Sequence, residues 1–256
     1  MAEMLAECLG AELVSREILV EAATAYGFEE KLLADVMDRA PRFWERLTPR
    51  RKTYLRFISA ALLTRAETGN LVYHGNAGHL LLRDVPCVLR VKLIAPLEQR
   101  IKLVMDNQGI SRNEALIYLK AVDETRIKWT RFLYGVDWND PALFDVVINL
   151  EKMSLETACD MICLAAERDP CRTDASSLIL LRNRALEARI LATLAADNRT
   201  QTLDIEVQAD GGTVRLSGVI EVEKVRRTLL EIVHGVEGVT SIHDELTVSK
   251  LSPIPT

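Results

Sequence analysis

The sequence predicts an α/β protein whose first part holds a doubly wound, mainly parallel sheet and whose second part is a small α+β unit. Short apolar runs alternate with longer helical patterns up to about residue 168, as expected of buried parallel strands and their crossover helices. After residue 177, apolar and polar residues alternate on both sides of an Asp-Gly-Gly turn, which indicates a β-hairpin. Aromatic residues make up only 5% of the chain, a composition more typical of helix-rich and α/β proteins than of β-sandwiches.

Local signals place the elements of the first part in order. Thr48 and Pro49 are typical of an N-cap and a first helical position. Pro96 opens a further helix, and Ser111 with Glu114 forms a capping box ahead of a long helix. Four brief apolar runs are the candidate strands: residues 11–14, 71–75, 88–95 and 145–149. Strands that alternate with helices in this way favour crossover connections and therefore a parallel sheet.

The second part begins after a polar, proline-containing linker at residues 169–177. A helix is predicted from Leu178 to Ala196, and two strands follow on either side of a turn at Gly211 and Gly212. These glycines accept the positive φ angles that a tight turn requires. A helix at residues 221–234 and a strand at 241–248 complete an αββαβ order. The predicted domains are therefore residues 1–168 and 178–250.

Composition and charge exclude several classes of protein. No stretch provides the roughly 18 apolar residues that a membrane span needs, and the first ten residues carry two Glu and no basic residue, unlike a secretory signal. We therefore expect a cytoplasmic protein without a transmembrane segment. Basic and acidic residues number 22 and 25 before Pro170 and 10 and 12 after it, so binding to nucleic acid through phosphate neutralisation is not expected.

Five cysteines are present, and none forms a CxxC pair. Cys159 and Cys163 lie one helical turn apart, a spacing that suits either a metal ion or burial within a helix. Burial is favoured, and no metal ion held by protein side chains is predicted.

Three strings resemble, in order and spacing, the cytidylate-kinase-like family of P-loop nucleotide kinases. They are LVYHGNAGHLLLRDV at residues 71–85, VLRVKLIAPLEQRI at 88–101 and AVDETRIKWTRFLYGVDWNDPALFDVVIN at 121–149. The similarity runs from Met1 to about Glu167. It implies a nucleoside monophosphate kinase fold with a helical lid, in which a phosphoryl group passes from ATP, accompanied by Mg²⁺, to a nucleotide such as CMP or dCMP.

The resemblance also implies which side chains act. It assigns catalysis to Asp123 and Arg126, and nucleotide or phosphate binding to a further set: Arg16, Asn76, Arg100 and Arg131. Two positions depart from the family, because Asn76 stands where an arginine is usual and Ser15 where an acidic residue is usual. Asn76 can donate a hydrogen bond to a phosphate but cannot neutralise it. The alternative, that the charged side chains form solvated pairs that stabilise a helix, stays open.

The lack of a phosphate-binding loop is the largest departure from the family. Phosphoryl transfer on this fold needs glycine-rich backbone at a helix N-terminus, and the family places it immediately before the helix that matches Ala2–Leu9. The chain has no such segment. We therefore expect the working polypeptide to begin upstream of Met1. Without the family's first strand, the strands at 71–75 and 88–95 lack their shared partner, unless they close up or another segment fills the gap.

Residues 177–250 resemble a BON domain, a small αββαβ module that generally binds phospholipid or other macromolecules. The resemblance rests on the hairpin alternation and on the glycines of the turn, of Gly218 and of the GVEGV string. Three basic residues at the start of a helix are the candidate contact surface, Lys224, Arg226 and Arg227, with Arg215 on the hairpin. A solvated helix face is the favoured interpretation of these residues.

Two functions follow from these resemblances. The first is a nucleotide-binding kinase-like protein that transfers phosphate from ATP to a CMP-like nucleotide if a phosphate loop is supplied upstream. The alternative is a catalytically inactive regulatory or scaffold protein, without a cofactor, whose BON domain binds a protein partner or phospholipid.

Overall fold

The structure is a computed structural model that describes residues 1–31, 50–75, 78–85, 87–168 and 174–249. Contacts divide these residues into two units. The first comprises the described parts of Met1–Ser15 and Asn70–Thr173, and the second those of Arg16–Leu33, Pro49–Gly69 and Asp174–Thr256. Each unit is described by itself below.

The described elements follow one another in this order: α1 (Ala2–Leu9), β1 (Glu12–Val14), α2 (Glu17–Tyr26), α3 (Arg50–Glu67), β2 (Leu71–Tyr73), α4 (Gly78–Leu81), β3 (Val91–Ile94), α5 (Leu97–Gln108), α6 (Arg112–Tyr134), β4 (Val146–Asn149), α7 (Leu155–Ala166), α8 (Ala175–Ala196), β5 (Ile205–Asp210), β6 (Thr213–Ile220), α9 (Glu223–His234) and β7 (Ser241–Val248). A short 3₁₀ helix, Pro141–Leu143, precedes β4.

The first unit is a mixed α/β structure with two small parallel sheets. All four predicted strand runs are strands. β1 pairs with β2, so that Leu13 lies opposite Val72, and β3 pairs with β4, so that Leu93 lies opposite Ile148. Among the described residues the two pairs form separate sheets, and no strand bonding joins β2 to β3. A single doubly wound sheet therefore stays a prediction.

One apolar core lies beneath both small sheets. α1 contributes Leu5, and α7 contributes Ala158 and Ile162, while Val72 of β2 and Val91 of β3 pack against the same cluster. Cys159 is buried in this core, and Cys163, one turn further along α7, forms a disulfide with Cys8 of α1. The two sheets thus share a hydrophobic core although they do not share hydrogen bonds.

The predicted starts of α5 and α6 are confirmed. Ser111 caps α6, because its hydroxyl accepts from the Glu114 N–H while the Glu114 carboxylate accepts from the Ser111 N–H. Pro96 is the N-cap of α5. α5 and α6 pack against each other around Ile101 and Ala115. The predicted cap at residues 48 and 49 lies outside the described residues.

The second unit contains the expected αββαβ order. β5 and β6 form the antiparallel hairpin around Gly211 and Gly212, and β7 pairs with β6 in parallel. At Gly212 the backbone has φ +88°, and a β-carbon there would press on the Gly238 carbonyl oxygen, so this position requires glycine. The first helix begins at Ala175 rather than at the predicted Leu178. The reason is that Asp174, which the linker prediction included, accepts from the Ser177 N–H as an N-cap.

The long helix α8 is buried on two opposite faces. One face packs on the sheet through Leu186, Ile190 and Leu194. A second row of buried residues, Leu181, Ala185, Ala192 and Ala195, lies about 180° away by the 100° rotation per residue. A helix with apolar residues on all sides needs partners on all sides. α3 packs against α8 and so supplies a second partner besides the sheet.

Helices α2 and α3, which come from the kinase-like segment, therefore belong to the second unit. Phe57 of α3 is fully buried beneath the rings of Tyr26 and Phe28, whose centroids lie 4.8 and 4.7 Å away. Arg189 of α8 donates to the Glu67 carboxylate at 2.6 Å. The two units thus do not coincide with the sequence segments 1–168 and 178–250.

No helix in the described residues is long and apolar enough to cross a bilayer.

Candidate functional site

The helix pair α5 and α6 brings together two of the side chains singled out from the sequence. Arg100 of α5 donates from both terminal nitrogens to the two oxygens of Asp123 on α6, each at 2.8 Å. This hydrogen bonding raises the pKa of Arg100 above its ordinary value. Both side chains are about one-third exposed, so the pair fixes orientation more than it stabilises the fold.

Arg126 lies on α6, one helical turn beyond Asp123. Its guanidinium carbon is 5.7 Å from the centroid of the Trp138 indole, which is within the range of a cation–π interaction. Arg126 is half-buried and forms no ion pair with a carboxylate in the described part of the chain. It is therefore a cation held by an aromatic ring.

Lys92 of β3 approaches the same indole ring. Its ammonium donates to the Trp138 carbonyl oxygen at 2.9 Å and lies 5.4 Å from the Trp138 ring and 5.0 Å from the Phe144 ring. Burial lowers the pKa of Lys92 below its ordinary value, and Arg126 lowers it further, while Asp137 and Asp123 act in the opposite direction. Lys92 and Arg126 are thus close enough to repel each other.

His79 closes one side of this group. Its ring stacks on Phe144 at 4.6 Å and meets Trp138 edge-on at 5.2 Å. Its Nε2 is buried and has no hydrogen-bond partner. Burial, with Lys92 and Arg90 nearby, lowers the pKa of His79 to about 4. The imidazole is therefore neutral at physiological pH and acts as a packing surface.

A second arginine–carboxylate pair anchors the strands beneath the group. Arg90 donates through its backbone N–H and its guanidinium to Asp145, at distances from 2.6 to 3.0 Å. Asp145 precedes β4, and Arg90 precedes β3, so the pair fixes the register in which these strands start. That register places Lys92 beside the 136–144 loop.

The remaining predicted kinase residues lie elsewhere. Arg131 is exposed near the end of α6, and no contact of the described residues joins it to Arg100, Asp123 or Arg126. Arg16 is exposed and belongs to the second unit. Asn76 lies outside the described residues. Of the predicted set, the structure thus pairs Arg100 with Asp123, and Arg126 follows Asp123 one turn later on α6.

The three candidate side chains of the second unit differ in their contacts. Arg226 donates to Asp244 at 2.7 Å and lies 3.7 Å from Glu223, which makes it a link between α9 and β7. Lys224 and Arg227 are exposed and have no ion-pair partner in the part of the chain that is described.

Sequence reasoning missed Lys92 and Trp138. A signal for Lys92 was present, because it is a charged residue inside the apolar run VLRVKLIA, where a buried strand normally has none. Trp138 follows α6 in an irregular segment, and its position in the sequence does not indicate which side chains it contacts.

No group of three or more His, Cys, Asp or Glu side chains that could hold a metal ion occurs among the described residues. Asp123 is the carboxylate to which the family resemblance assigns catalysis, and it is already bound by Arg100. These residues therefore do not by themselves fit a protein-held Mg²⁺ site.

Comparison with known proteins identifies both parts of the chain. A sequence model described as the cytidylate kinase-like family matches residues 1–152, and one described as the BON domain matches residues 183–250. Both resemblances inferred from the sequence are confirmed.

Among curated proteins, the chain is similar to the cytidylate kinase of Ignicoccus hospitalis, with 35% identity over 107 residues that cover 41% of this chain and 60% of that protein. The cytidylate kinase of Staphylothermus marinus is 30% identical over 99 residues, which cover 38% of this chain and 54% of that protein. The chain thus spans 60% or less of the length of these relatives.

Two further similarities concern the BON domain and the fold. The osmotically-inducible protein Y of Escherichia coli is 36% identical over 64 residues, which cover 25% of this chain and 32% of that protein. The crystal structure of an uncharacterized protein from Eubacterium ventriosum has a TM-score of 0.50 and 22% identity, and covers 65% of this chain and 89% of that chain. The likeness to this structure concerns the fold alone.

Proposed function

Because the chain belongs to the cytidylate kinase-like family and carries a BON domain, we propose that its first unit binds a CMP-like nucleotide and transfers a phosphoryl group to it from ATP. The transfer requires a glycine-rich phosphate loop ahead of α1. An acceptor phosphate oxygen attacks the γ-phosphorus of ATP, the bond from that phosphorus to the β–γ bridging oxygen breaks, and ADP and a nucleoside diphosphate leave.

The observation that carries the proposal is the arrangement on the α5–α6 pair, where Arg100 is bound by Asp123 and Arg126 follows Asp123 one turn later on α6. Phosphoryl transfer depends mainly on positioning and on neutralising phosphate charge. Asp123 holds the Arg100 guanidinium by two hydrogen bonds, so that Arg100 keeps a fixed direction. Among the described residues the Arg126 guanidinium contacts an aromatic face and no carboxylate, so it is the cation that can turn to a phosphate.

Mg²⁺ enters the proposal as the ion that accompanies ATP and neutralises its phosphate oxygens. No protein ligand is assigned to it. The arginines supply the rest of the positive charge.

Catalysis is tested by following ADP formation from ATP with CMP or dCMP. The chain should be compared with a version extended by the residues encoded in frame before Met1. We expect turnover by the extended version and a loss of about 10²-fold in kcat/KM on Arg126→Ala, the size typical of removing one preorganised charge-stabilising donor.

The matched control is Lys128→Met. This substitution also removes one positive charge from α6, but Lys128 pairs with the exposed Glu124 and lies outside the candidate site. Turnover that is unchanged by Arg126→Ala would contradict the role given to Arg126. An extended version that binds CMP without turnover would contradict the kinase proposal and favour the inactive scaffold.

The alternative function is a BON unit that attaches the protein to an anionic phospholipid surface. Two apolar side chains at one end of the BON sheet support it: Val219 is 63% exposed and Val222 is 51% exposed. Lys224 and Arg227 follow them on α9. Exposed apolar residues beside unpaired cations suit the boundary between headgroups and acyl chains.

Sedimentation with vesicles tests this alternative. We expect the chain to bind vesicles that contain one-quarter phosphatidylserine at physiological salt, and to lose that binding on Val219→Asp. Arg226 is paired with Asp244, so Lys224→Gln is the substitution that removes a charge beside Val219 and Val222. The matched control is Arg215→Gln, because Arg215 lies near the hairpin end of β6 and pairs with Glu245. Equal binding to pure phosphatidylcholine, or none to either vesicle, would argue for a protein partner instead.

A further inference from the structure

Lys92 and Arg126 are two half-buried cations on different elements that meet at one aromatic side chain. Lys92 lies on β3 and Arg126 on α6, and both are within 6 Å of the Trp138 ring centroid. Neither forms an ion pair with a carboxylate in the part of the chain that is described. Two like charges placed this close together favour an anion between them.

The nearby carboxylates are already occupied. Asp123 accepts both hydrogen bonds of Arg100, and Asp137 accepts from the Asn139 N–H at 3.0 Å. They offset part of the positive charge at a distance without binding either cation. When Arg100 is counted as the partner of Asp123, the cations of this group exceed these two carboxylates by one charge.

We propose that Lys92 and Arg126 form a phosphate-binding pair and that Trp138 holds both cations in place until the phosphate arrives. A charge-assisted hydrogen bond to a phosphate oxygen is stronger than the attraction of an ammonium or guanidinium to an indole face. The ligand therefore displaces the ring as the partner of both cations. Lys92 is a phosphate contact, and Trp138 is a positioning residue.

The chemistry of the two cations specifies the class of ligand. A lysine ammonium on its flexible stem contacts one oxygen from any direction, whereas a guanidinium presents two parallel N–H groups. A tetrahedral phosphate has enough oxygens for both. The rings of Trp138, Phe144 and His79 beside the pair reduce the local dielectric and strengthen these bonds. We therefore assign the site to a phosphomonoester or the end of a polyphosphate.

The identification of that ligand with a phosphate of the nucleotide rests on the proposed function, whereas the anion site itself rests on the geometry. Lys92 then joins strand β3 to the lid helix α6 through the ligand. This gives the proposed reaction one more charge-neutralising group than the sequence indicated.

Calorimetric titration of the full chain with pyrophosphate, and separately with CMP, tests the inference. We expect Lys92→Met, which keeps the apolar stem, to weaken pyrophosphate binding about tenfold, the size of one charge-assisted hydrogen bond. Lys92→Arg should recover part of this affinity. Lys128→Met removes the same charge from an exposed pair and should change the affinity by less than twofold.

Tryptophan fluorescence gives a second readout that a merely structural lysine would not move. Ligand binding should change the emission of the native chain, because it draws cations away from Trp138, and the change should disappear in Trp138→Phe. Melting temperatures of all variants establish that they fold.

The outcomes distinguish the inference from the proposed function. If folded Lys92→Met binds pyrophosphate and CMP as the native chain does, the inference is wrong even if the kinase is active. If Lys92→Met loses pyrophosphate while the native chain binds no CMP, the anion site stands and the proposed function fails.

Discussion

A chain that ends at residue 173 is expected to lose the fold of α2 and α3 together with the BON domain. α3 packs along α8, and truncation removes α8, which uncovers the apolar face of α3 that α8 covers in the full chain. Exposed apolar surface of this kind is unfavourable by about 25 cal/mol per Å². Limited proteolysis followed by mass spectrometry should therefore find rapid cleavage within residues 50–69 of the truncated chain and protection in the full chain.

Cleavage within the linker provides the control. A protease site inserted between residues 169 and 173, then cut in the folded protein, leaves α8 present. We expect the two pieces to elute together in gel filtration, since α3 and α8 hold them without the peptide connection. Pieces that separate, each with the melting temperature of the intact protein, would show that α2 and α3 do not depend on the BON helix.

Phe57→Ala is expected to lower the free energy of unfolding of the second unit by about 3–5 kcal/mol, as for other large-to-small substitutions of buried aromatic residues. Phe57 is fully buried and is the centre of a group of rings that includes Tyr26, Phe28 and Tyr54. Removing the ring leaves a cavity that its neighbours fill only in part. Urea denaturation measures the loss.

Hydrogen exchange shows which elements lose stability in Phe57→Ala. Because α3 packs against α8 and α8 packs on the sheet, amides of β5, β6 and β7 should exchange faster in Phe57→Ala, although Phe57 is distant from them in sequence. Tyr118→Ala, which removes an exposed ring from α6, should leave these amides unchanged. Faster exchange confined to α2 and α3 would contradict the shared core.

Local signals in the sequence predicted most individual elements. The four strand runs, the capping box at Ser111 and the hairpin at Gly211 each depend on residues close together in the chain, and the structure contains all of them. The start of α8 was placed three residues late, because Asp174 was read as linker rather than as an N-cap.

Contacts between distant residues could not be predicted in the same way. Cys8 and Cys163 are 155 residues apart, and nothing local to either indicates the other. Trp138 lies next to Lys92 and Arg126 only because β3 and β4 pair beside the end of α6. For the candidate site, the family strings indicated Arg100, Asp123 and Arg126, but the aromatic residues and Lys92 required the folded chain.

The sequence likewise did not indicate that α2 and α3 pack with the helix α8. Their apolar residues predict buried helices but do not specify the partner, and the kinase-like segment to which they belong suggested the first unit. The small residues on the outer face of α8, Ala185, Ala192 and Ala195, allow a neighbouring helix to come close. They are also good helix formers, so their presence in the sequence had a sufficient local explanation.

Because α3 and α8 pack together, the stability of α2 and α3 is linked to ligand binding by the BON sheet. Helices α2 and α3 and the BON sheet belong to one unit. A molecule that binds the folded sheet and not the unfolded chain therefore stabilises the two helices together with the sheet. Linkage is reciprocal, so a change that stabilises these two helices also raises the affinity of the BON sheet for that molecule. A ligand of the BON sheet should therefore also protect α2 and α3, two helices that the chain supplies from its kinase-like segment.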